Sequence, residues 1–206
     1  MSQKLIIFDM DGTLVNSSLT IANAINYVRE KLGYEPMTQE YILTRVNDHT
    51  LNPAQTFYHT KKFESKHEKW FSEYYTQYHE RELVLYDGVK ELLQTLQEKG
   101  YTLAVATNAY RSSTIESLTY LGIYDYFSSI ACYDDVPQGK PNPEMLYKIL
   151  EETNITKESA LFIGDGARDE MASKRANIPY IMVDWGFTVH SDAVRTVEAL
   201  KIKLLK

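Results

Sequence analysis

The chain has 206 residues, enough for one domain, or one domain with an insertion, that buries a core without cross-links. Its 22 basic and 28 acidic residues give a net charge of −6, which argues against nucleic acid or an anionic membrane as the main partner, because both require a basic surface. Cys132 is the only cysteine, which excludes an intrachain disulfide and a thiolate zinc cluster. No apolar stretch approaches the roughly 20 residues of a membrane span, and the apolar run before Asp9 is too short for a signal peptide. We therefore expect a soluble, cytoplasmic protein; the sequence makes no prediction of its oligomeric state.

Short apolar runs along the chain predict strands that are covered on both faces, because they lack the polar alternation of half-exposed strands. In chain order these runs are Leu5–Phe8, Thr102–Ala106, Ser129–Cys132, Ala160–Ile163 and Tyr180–Val183. Apolar residues at helical spacing lie between them, at Val89–Leu96, Ile115–Leu121 and Met145–Leu150. This strand–helix alternation predicts an α/β fold with a parallel sheet wrapped by helices.

One long stretch interrupts the alternation after the first strand. Roughly 85–90 residues separate the first two strands, whereas a crossover with its helix needs only about 30. Helix-spaced apolar residues run from Leu19 to Leu32 and from Phe63 to Tyr78. We therefore predict a helical subdomain over residues 15–82, inserted into a core formed by residues 1–14 and 83–206. The aromatic stripe from 63 to 78 is interpreted as the core of that subdomain rather than as a ligand-stacking surface.

Carboxylates follow the ends of two predicted strands. Asp9 and Asp11 leave the first strand, and Asp165 and Asp169 surround the end of the fourth. Ligands bind at this edge of an open parallel sheet. Several carboxylates there, with no His or Cys among them, suit a hard cation such as Mg²⁺, since their charges would otherwise repel one another. Gly12 permits a tight turn or a close backbone approach beside them.

Complementary groups are predicted at the same edge. Thr107 and Asn108 follow the second strand and offer a hydroxyl, an amide and backbone N–H donors. Lys140 supplies a positive charge in a loop that Pro141 and Pro143 stiffen. With carboxylates and Mg²⁺, these groups suit phosphoryl transfer, in which an Asp can be the covalent nucleophile. Each residue alone also fits an ordinary cap, turn or surface charge; their ordered combination favours a site.

The motifs, taken in order, resemble the signature of the haloacid dehalogenase-like hydrolase superfamily. They are Asp9-Met10-Asp11-Gly12-Thr13-Leu14, Thr107-Asn108, Lys140 in Lys-Pro-Asn-Pro, and Gly164-Asp165-Gly166-Ala167-Arg168-Asp169. The resemblance covers essentially the whole chain and implies a Rossmann-like core with an α-helical cap inserted after the first strand. It also implies that Asp9 is the nucleophile that becomes aspartyl-phosphate. Asp11 would protonate the leaving oxygen and then activate water.

The resemblance implies roles for the remaining core residues as well. Thr107 and Lys140 would hold the phosphoryl oxygens, with Gly12 and Asn108 in the substrate-binding set. The implied Mg²⁺ ligands come from both acidic motifs: Asp9, the Asp11 backbone carbonyl, Asp165 and, in a supporting or water-mediated role, Asp169.

Other residues of the chain restrict which reaction of the superfamily we predict. Members of the superfamily that cleave carbon–halogen bonds or phosphonates lack the acidic residue at Asp11. The cap position and Asn16-Ser17 resemble phosphoglycolate phosphatases, many of which carry Asp in place of Asn16. We therefore predict a Mg²⁺-dependent phosphatase of a small phosphorylated metabolite. The alternative is β-phosphoglucomutase-like transfer, although its sugar-holding cap segment has no clear match in Ile42–Tyr58. A signalling receiver domain fits less well, since its phosphorylated Asp lies on an interior strand of a shorter chain.

The polar segment 45–50 lies between two helix-like stretches of the predicted cap. Arg45 and His49 are predicted to recognise an anionic or hydroxylated leaving group, because loops on a rigid scaffold often carry specificity. The composition fits an ordinary helix–helix connector equally well, with Asp48 or Asn52 capping the next helix.

Overall fold

The computed structural model describes residues 5–46, 48, 50–185 and 192–206, and the chain divides into two compact units. The core unit comprises Met1–Asn16 and Val84–Lys206, and the helical unit comprises Ser17–Leu83. The sequence predicted an inserted helical subdomain over residues 15–82; those bounds and the assignment of the units as catalytic core and cap stay predictions.

Strands occur in the core unit, where a central parallel sheet carries the fold. In chain order the described strands are β1 (Leu5–Phe8), β2 (Val15–Asn16), β3 (Val84–Leu85), β4 (Thr102–Ala106), β5 (Ser129–Ala131), β6 (Ala160–Gly164) and β7 (Tyr180–Met182). The parallel sheet has the order β5-β4-β1-β6-β7, while β2 and β3 pair as a short antiparallel ribbon. Leu5 on the central strand β1 is paired with Thr102 on one side and Ala160 on the other. The predicted α/β fold with a parallel sheet is confirmed.

Helices cover the parallel sheet of the core unit and make up the bulk of the helical unit. The helical unit contains α1 (Ser18–Lys31), α2 (Gln39–Val46), α3 (Pro53–Tyr58) and α4 (Ser65–Glu82). The core unit contains α5 (Val89–Glu98), α6 (Arg111–Tyr120), α7 (Glu144–Thr153), α8 (Ala167–Ala176) and α9 (Val197–Leu204). The spacing of apolar residues explains how a typical helix packs: in α5, the residues from Val89 to Leu96 that share one face are buried. The helix ends before Gly100, whose φ of +80° is typical of the residue after a helix.

Strand limits differ slightly from the sequence prediction. The third predicted strand ends at Ala131 rather than Cys132, because Cys132 begins the short 3₁₀ turn Tyr133–Asp135. The fifth ends at Met182, since Val183 instead forms an isolated bridge with Val194. The carboxyl-terminal segment forms α9.

The helical unit has its own apolar cluster. Its buried members include Ile25 and Val28 of α1, Ile42 of α2 and Phe57 of α3, and Trp70 of α4 packs against them. The aromatic stripe of α4 therefore supplies core contacts, as the sequence predicted. Within the described ranges, no helix is both long enough and apolar enough to cross a membrane.

Candidate active site

The ends of neighbouring parallel strands bring the predicted site residues of the core unit together. Asp9 follows β1, and its backbone N–H donates to the Ile163 carbonyl of β6 at 2.8 Å. Thr107 follows β4, and its N–H donates to the Ala131 carbonyl of β5 at 3.0 Å. Because the sheet hydrogen bonding reaches these two residues, their backbone positions are fixed by the rigid part of the fold.

Lys140 lies at the centre of the site. Its ammonium group is 2.5 Å from Asp9 Oδ1 and 2.6 Å from Asp169 Oδ1, and it also donates to the Ala106 carbonyl at 2.7 Å. The lysine side chain is 3% exposed. All three ammonium hydrogens therefore have acceptors, which is the arrangement a buried cation requires.

Asn108 holds the lysine loop against the end of β4. Its side-chain oxygen accepts from the Lys140 N–H at 2.8 Å, and its amide donates to the Lys140 carbonyl at 2.9 Å. A Cβ at Gly139 would lie 2.6 Å from that same oxygen, so a larger residue there would disturb the pairing. In this structure Asn108 positions Lys140; its predicted part in substrate binding stays a prediction.

Three carboxylates converge beside this lysine. Asp9, Asp165 and Asp169 each offer an oxygen, and these oxygens lie within 4.8 Å of one another. Gly12 makes the convergence possible, because it has a φ of +85° and a Cβ at this position would collide with the Asp165 carboxylate. The donor set consists of oxygens at the spacing that a hard divalent cation bridges, so these residues fit Mg²⁺.

Asp169 differs from its two neighbours in how its oxygens are used. Oδ1 is paired with Lys140, and Oδ2 accepts the Gly166 N–H at 3.2 Å. Both oxygens are thus bound by the protein itself. The supporting role that the sequence resemblance implies for Asp169 stays a prediction.

Burial and charge repulsion dominate the electrostatics. Burial raises the pKa of Asp9 to about 7; Lys140 opposes this shift, while Asp169 and Asp11 add to it. Burial, followed by the charges of Asp9 and Asp169, also raises the pKa of Asp165 well above its usual range. Burial disfavours the Lys140 cation, but Asp169 and Asp9 outweigh it and raise its pKa. One lysine thus faces three crowded acids, which favours binding of a further cation.

Two threonines complete the polar surroundings. The Thr107 hydroxyl accepts from the Ala109 N–H at 3.1 Å, which leaves its own proton available for donation. Thr13 is buried, and its hydroxyl is 3.5 Å from Asp9 Oδ2. Thr13 stands in the first motif, but the resemblance implied no role for it; its place four residues after Asp9 was the available signal.

The residues predicted in segment 45–50 belong to the helical unit. The Arg45 guanidinium lies over the Tyr41 ring, 3.6 Å from its centroid, and donates to the Tyr41 carbonyl at 3.3 Å. His49 lies outside the described residues. Asn52 caps α3 by accepting from the Gln55 N–H at 3.2 Å, as the connector interpretation expected. The proposed part of Arg45 and His49 in recognition stays a prediction.

Comparisons with known proteins show the family of the chain. The family model described as haloacid dehalogenase-like hydrolase matches residues 6–183. A phosphoglycolate phosphatase of Vibrio parahaemolyticus is 30% identical, over 89% of this chain and 85% of the relative. A pyrophosphatase, PpaX, of Halalkalibacterium halodurans is 27% identical, over 87% of this chain and 83% of the relative. A crystal structure of a "predicted phosphoglycolate phosphatase" from Haemophilus somnus superimposes with a TM-score of 0.84 at 27% identity, and the match covers 100% of both chains.

These findings confirm the predicted superfamily and the predicted enzyme class, a phosphoric monoester hydrolase. More than four fifths of the chain lies within the family match, and that match includes every motif residue from Asp9 to Asp169. The chain belongs to the haloacid dehalogenase-like hydrolases.

Proposed function

We propose that this protein is a Mg²⁺-dependent phosphatase that hydrolyses a small phosphomonoester through an aspartyl-phosphate on Asp9. The observation that carries the proposal is the buried Lys140 ammonium between Asp9 and Asp169, with Asp165 beside them. Phosphoglycolate, or a similarly small anionic ester, is the favoured substrate class, because one relative is a phosphoglycolate phosphatase. A small phosphorylated metabolite as partner and a cytoplasmic location belong to the same proposal.

The first half-reaction uses Asp9 as nucleophile. A carboxylate oxygen of Asp9 forms a bond to phosphorus, and the bond from phosphorus to the leaving oxygen breaks. Asp11 supplies the proton that the leaving oxygen takes up. The Lys140 charge opposes the effect of burial on Asp9 and so favours its carboxylate form, and that charge together with the Thr107 hydroxyl would hold the phosphoryl oxygens.

The second half-reaction restores the enzyme. Asp11 has lost its proton and removes one from water, which then attacks the phosphorus of the aspartyl-phosphate. The bond between phosphorus and the Asp9 oxygen breaks, and inorganic phosphate leaves. Each turnover therefore consumes one water and returns Asp9 and Asp11 to their starting states.

The proposed Mg²⁺ would be held by Asp9, Asp165 and the Asp11 backbone carbonyl, with Asp169 in support. When bound, Mg²⁺ supplies positive charge that offsets both the clustered carboxylates and the phosphoryl oxygens. The residues that are present fit the ion because their buried acids outnumber the single lysine that faces them.

A screen of phosphate release tests the proposal. Phosphoglycolate, sugar phosphates, pyrophosphate and p-nitrophenyl phosphate are assayed with Mg²⁺ and after removal of metal by EDTA and dialysis. We expect Mg²⁺-dependent turnover of at least one small ester, and inhibition by Ca²⁺, whose wider coordination would occupy both Asp9 oxygens. Asp9→Asn is the blank, since its amide has the same shape but is not a nucleophile. Full activity in EDTA, or wild-type turnover by Asp9→Asn, would refute the proposal.

Sugar phosphates serve a second purpose in this screen. A phosphomutase would transfer the phosphoryl group from Asp9 to a second sugar phosphate faster than to water. We expect instead that phosphate release equals ester consumption in the presence of a sugar phosphate acceptor, which is the behaviour of a hydrolase.

A further inference from the structure

A tryptophan that follows the edge strand β7 contacts residues 10–15, the segment after Asp9 that we call the nucleophile loop. The Trp185 indole N–H, three residues beyond β7, donates to the Thr13 carbonyl at 3.0 Å. The hydroxyl of the same threonine lies 3.5 Å from Asp9 Oδ2. Both residues belong to the core unit, so two successive contacts link the indole to the proposed nucleophile across one buried side chain.

The backbone of the nucleophile loop is closed by its own hydrogen bonds on its inner side. The N–H groups of Leu14 and Val15 both donate to the Met10 carbonyl at 2.9 Å. The carbonyls of Thr13 and Leu14 are instead bound from outside the loop: Trp185 donates to the first, and the Tyr86 N–H donates to the second at 3.2 Å. These two external donors therefore help to orient the loop.

Trp185 and Tyr86 also contact each other. Their ring centroids are 6.0 Å apart and the planes are inclined by 52°, a tilted arrangement that aromatic pairs favour. Burial, followed by the charges of Asp165, Asp11 and Asp9, raises the pKa of Tyr86 above its usual range. The phenol thus stays neutral within electrostatic reach of the site, and its ring supports the indole from one side.

We propose that Trp185 is a positioning residue, whose indole N–H fixes Thr13 and thereby orients the Thr13 hydroxyl against Asp9. This inference rests on the proposed function, because it assigns Trp185 a part in presenting that nucleophile. If Trp185 only filled space, an aromatic ring without the donor would serve equally well. If the hydrogen bond matters, removing the donor lowers the rate even when the ring remains.

Trp185→Phe separates these two roles. Turnover of p-nitrophenyl phosphate is measured with saturating Mg²⁺, and thermal unfolding is followed by circular dichroism. We expect kcat to fall roughly tenfold with KM within about twofold of wild type, since orienting a nucleophile acts on the transition state rather than on substrate binding. Trp70→Phe is the matched control, because it makes the same substitution in the apolar cluster of the helical unit, and we expect its kcat to match wild type.

A double-mutant cycle with Thr13→Val tests whether the effect of Trp185 passes through the threonine. Valine keeps the shape of the side chain but removes the hydroxyl that faces Asp9. If Trp185 acts through that hydroxyl, the double variant should lose little more than Thr13→Val alone, so the two rate losses should not multiply. Independent, multiplying losses, or a kcat for Trp185→Phe within twofold of wild type, would overturn the inference.

Fluorescence gives a readout that does not depend on turnover or on the folding of Trp185→Phe. The chain has two tryptophans, so Trp185 is the sole indole emitter in the Trp70→Phe protein. Adding Mg²⁺ with fluoroberyllate, a mimic of a phosphoryl group on Asp9, should shift its emission, and Asp9→Asn should abolish the shift. An unchanged emission in an active enzyme would overturn the inference alone, whereas wild-type protein inactive on every ester would refute the proposed function.

Discussion

Each unit of this protein buries a long cationic side chain, but the two cations have different surroundings. In the helical unit, Arg29 donates to the Glu35 carbonyl at 2.7 and 2.9 Å and to the Phe57 carbonyl at 2.5 Å. In the core unit, Lys140 is paired with two carboxylates that have a third acid beside them. Arg29 is hydrogen-bonded only to neutral backbone carbonyls in these contacts, and it links α1 to α3 and to the segment that follows α1. Lys140 leaves negative charge uncompensated, which is a condition for binding a cation.

Buried histidines of the helical unit extend the contrast. His67 lies against the Tyr58 ring, with centroids 4.9 Å apart, and its Nδ1 accepts the Glu64 N–H at 3.2 Å. His79 is stacked on Tyr75 within the same helix, α4. These titratable rings serve packing and helix capping. Burial of an ionisable group therefore does not identify a functional site by itself. In this protein the distinguishing feature of the site is an excess of negative charge at the carboxyl ends of the parallel strands.

The largest expected effect comes from removing the central cation of the core unit. Lys140→Met should lower kcat about 10³-fold or more for every ester, because the nucleophile loses its ion pair and the phosphoryl oxygens lose a nearby positive charge. The buried Asp9 and Asp169 carboxylates are left without their partner, so metal-free protein should lose roughly 3 kcal/mol of stability. Phosphate-release kinetics and urea unfolding measure the two effects.

Lys148→Met is the matched control, since Lys148 is also paired with a carboxylate, Glu152, at 2.7 Å, but both side chains are partly exposed to solvent. Its loss should cost well under about 1 kcal/mol and leave kcat unchanged. The contrast would break if Lys140→Met kept a tenth of the wild-type rate, or if both lysines gave the same losses.

Asp11→Asn should have the next largest effect and should divide the reaction in two. Phosphorylation of Asp9 by p-nitrophenyl phosphate needs little proton donation, because p-nitrophenol is a good leaving group. Hydrolysis of the aspartyl-phosphate still needs a base, so steady turnover should fall roughly 10²-fold after an initial burst. Rapid-quench measurement of released p-nitrophenol resolves the two phases. Equal loss in both would assign Asp11 a positional or metal-binding role instead.

The core site was predictable because its residues stand at strand ends. Asp9 and Lys140 are 131 positions apart in the sequence. Asp9 directly follows the apolar strand β1, and Lys140 lies in the segment after the apolar strand β5. Because the strands are parallel, their carboxyl ends meet at one edge of the sheet. Which carboxylate the lysine contacts depends on side-chain rotamers, so the pairing with Asp169 could not be predicted. The contact of Trp185 with Thr13 spans 172 positions and carries no local pattern. The ribbon of β2 and β3 has only two residues in each strand, which is too short to show the alternating pattern of a strand in the sequence.

In the helical unit, patterns predicted the helices but not the use of particular side chains. The stripe on α4 correctly indicated core, although Phe63, its first member, is 44% exposed because it precedes the helix. Arg29 lies in a helical pattern, where an arginine is expected to be exposed to solvent. It is buried because the tertiary fold brings the Glu35 and Phe57 carbonyls to its guanidinium. The contact of Arg45 with Tyr41 is the exception, since residues four apart on a helix are neighbours.

Replacing Arg29 should damage the helical unit without touching the core chemistry. Arg29→Met removes hydrogen bonds to the Glu35 and Phe57 carbonyls inside a buried environment, which should cost about 2–3 kcal/mol. Urea unfolding followed by Trp70 emission, in a Trp185→Phe background, reports this unit. Arg81→Met, an exposed position on α4, is the control and should change stability by less than about 0.5 kcal/mol. Equal effects of the two substitutions would show that Arg29 contributes no more than a surface arginine.

The smallest expected effect is also the one that tests whether the helical unit selects substrates. Arg45 is partly exposed and lies over Tyr41, so Arg45→Ala should cost only about 0.5–1 kcal/mol of stability through that contact. If its guanidinium also recognises an anionic leaving group, kcat/KM for phosphoglycolate should fall roughly threefold to tenfold. Turnover of p-nitrophenyl phosphate should be unchanged, because that leaving group offers no matching anionic atoms. Arg45→Lys, which keeps the charge without the fork, should fall between the two, and His49→Ala tests the other predicted residue in the same way. An equal loss on both esters would mean that the substitution disturbs the unit as a whole, and no loss on either would contradict a specificity role for segment 45–50.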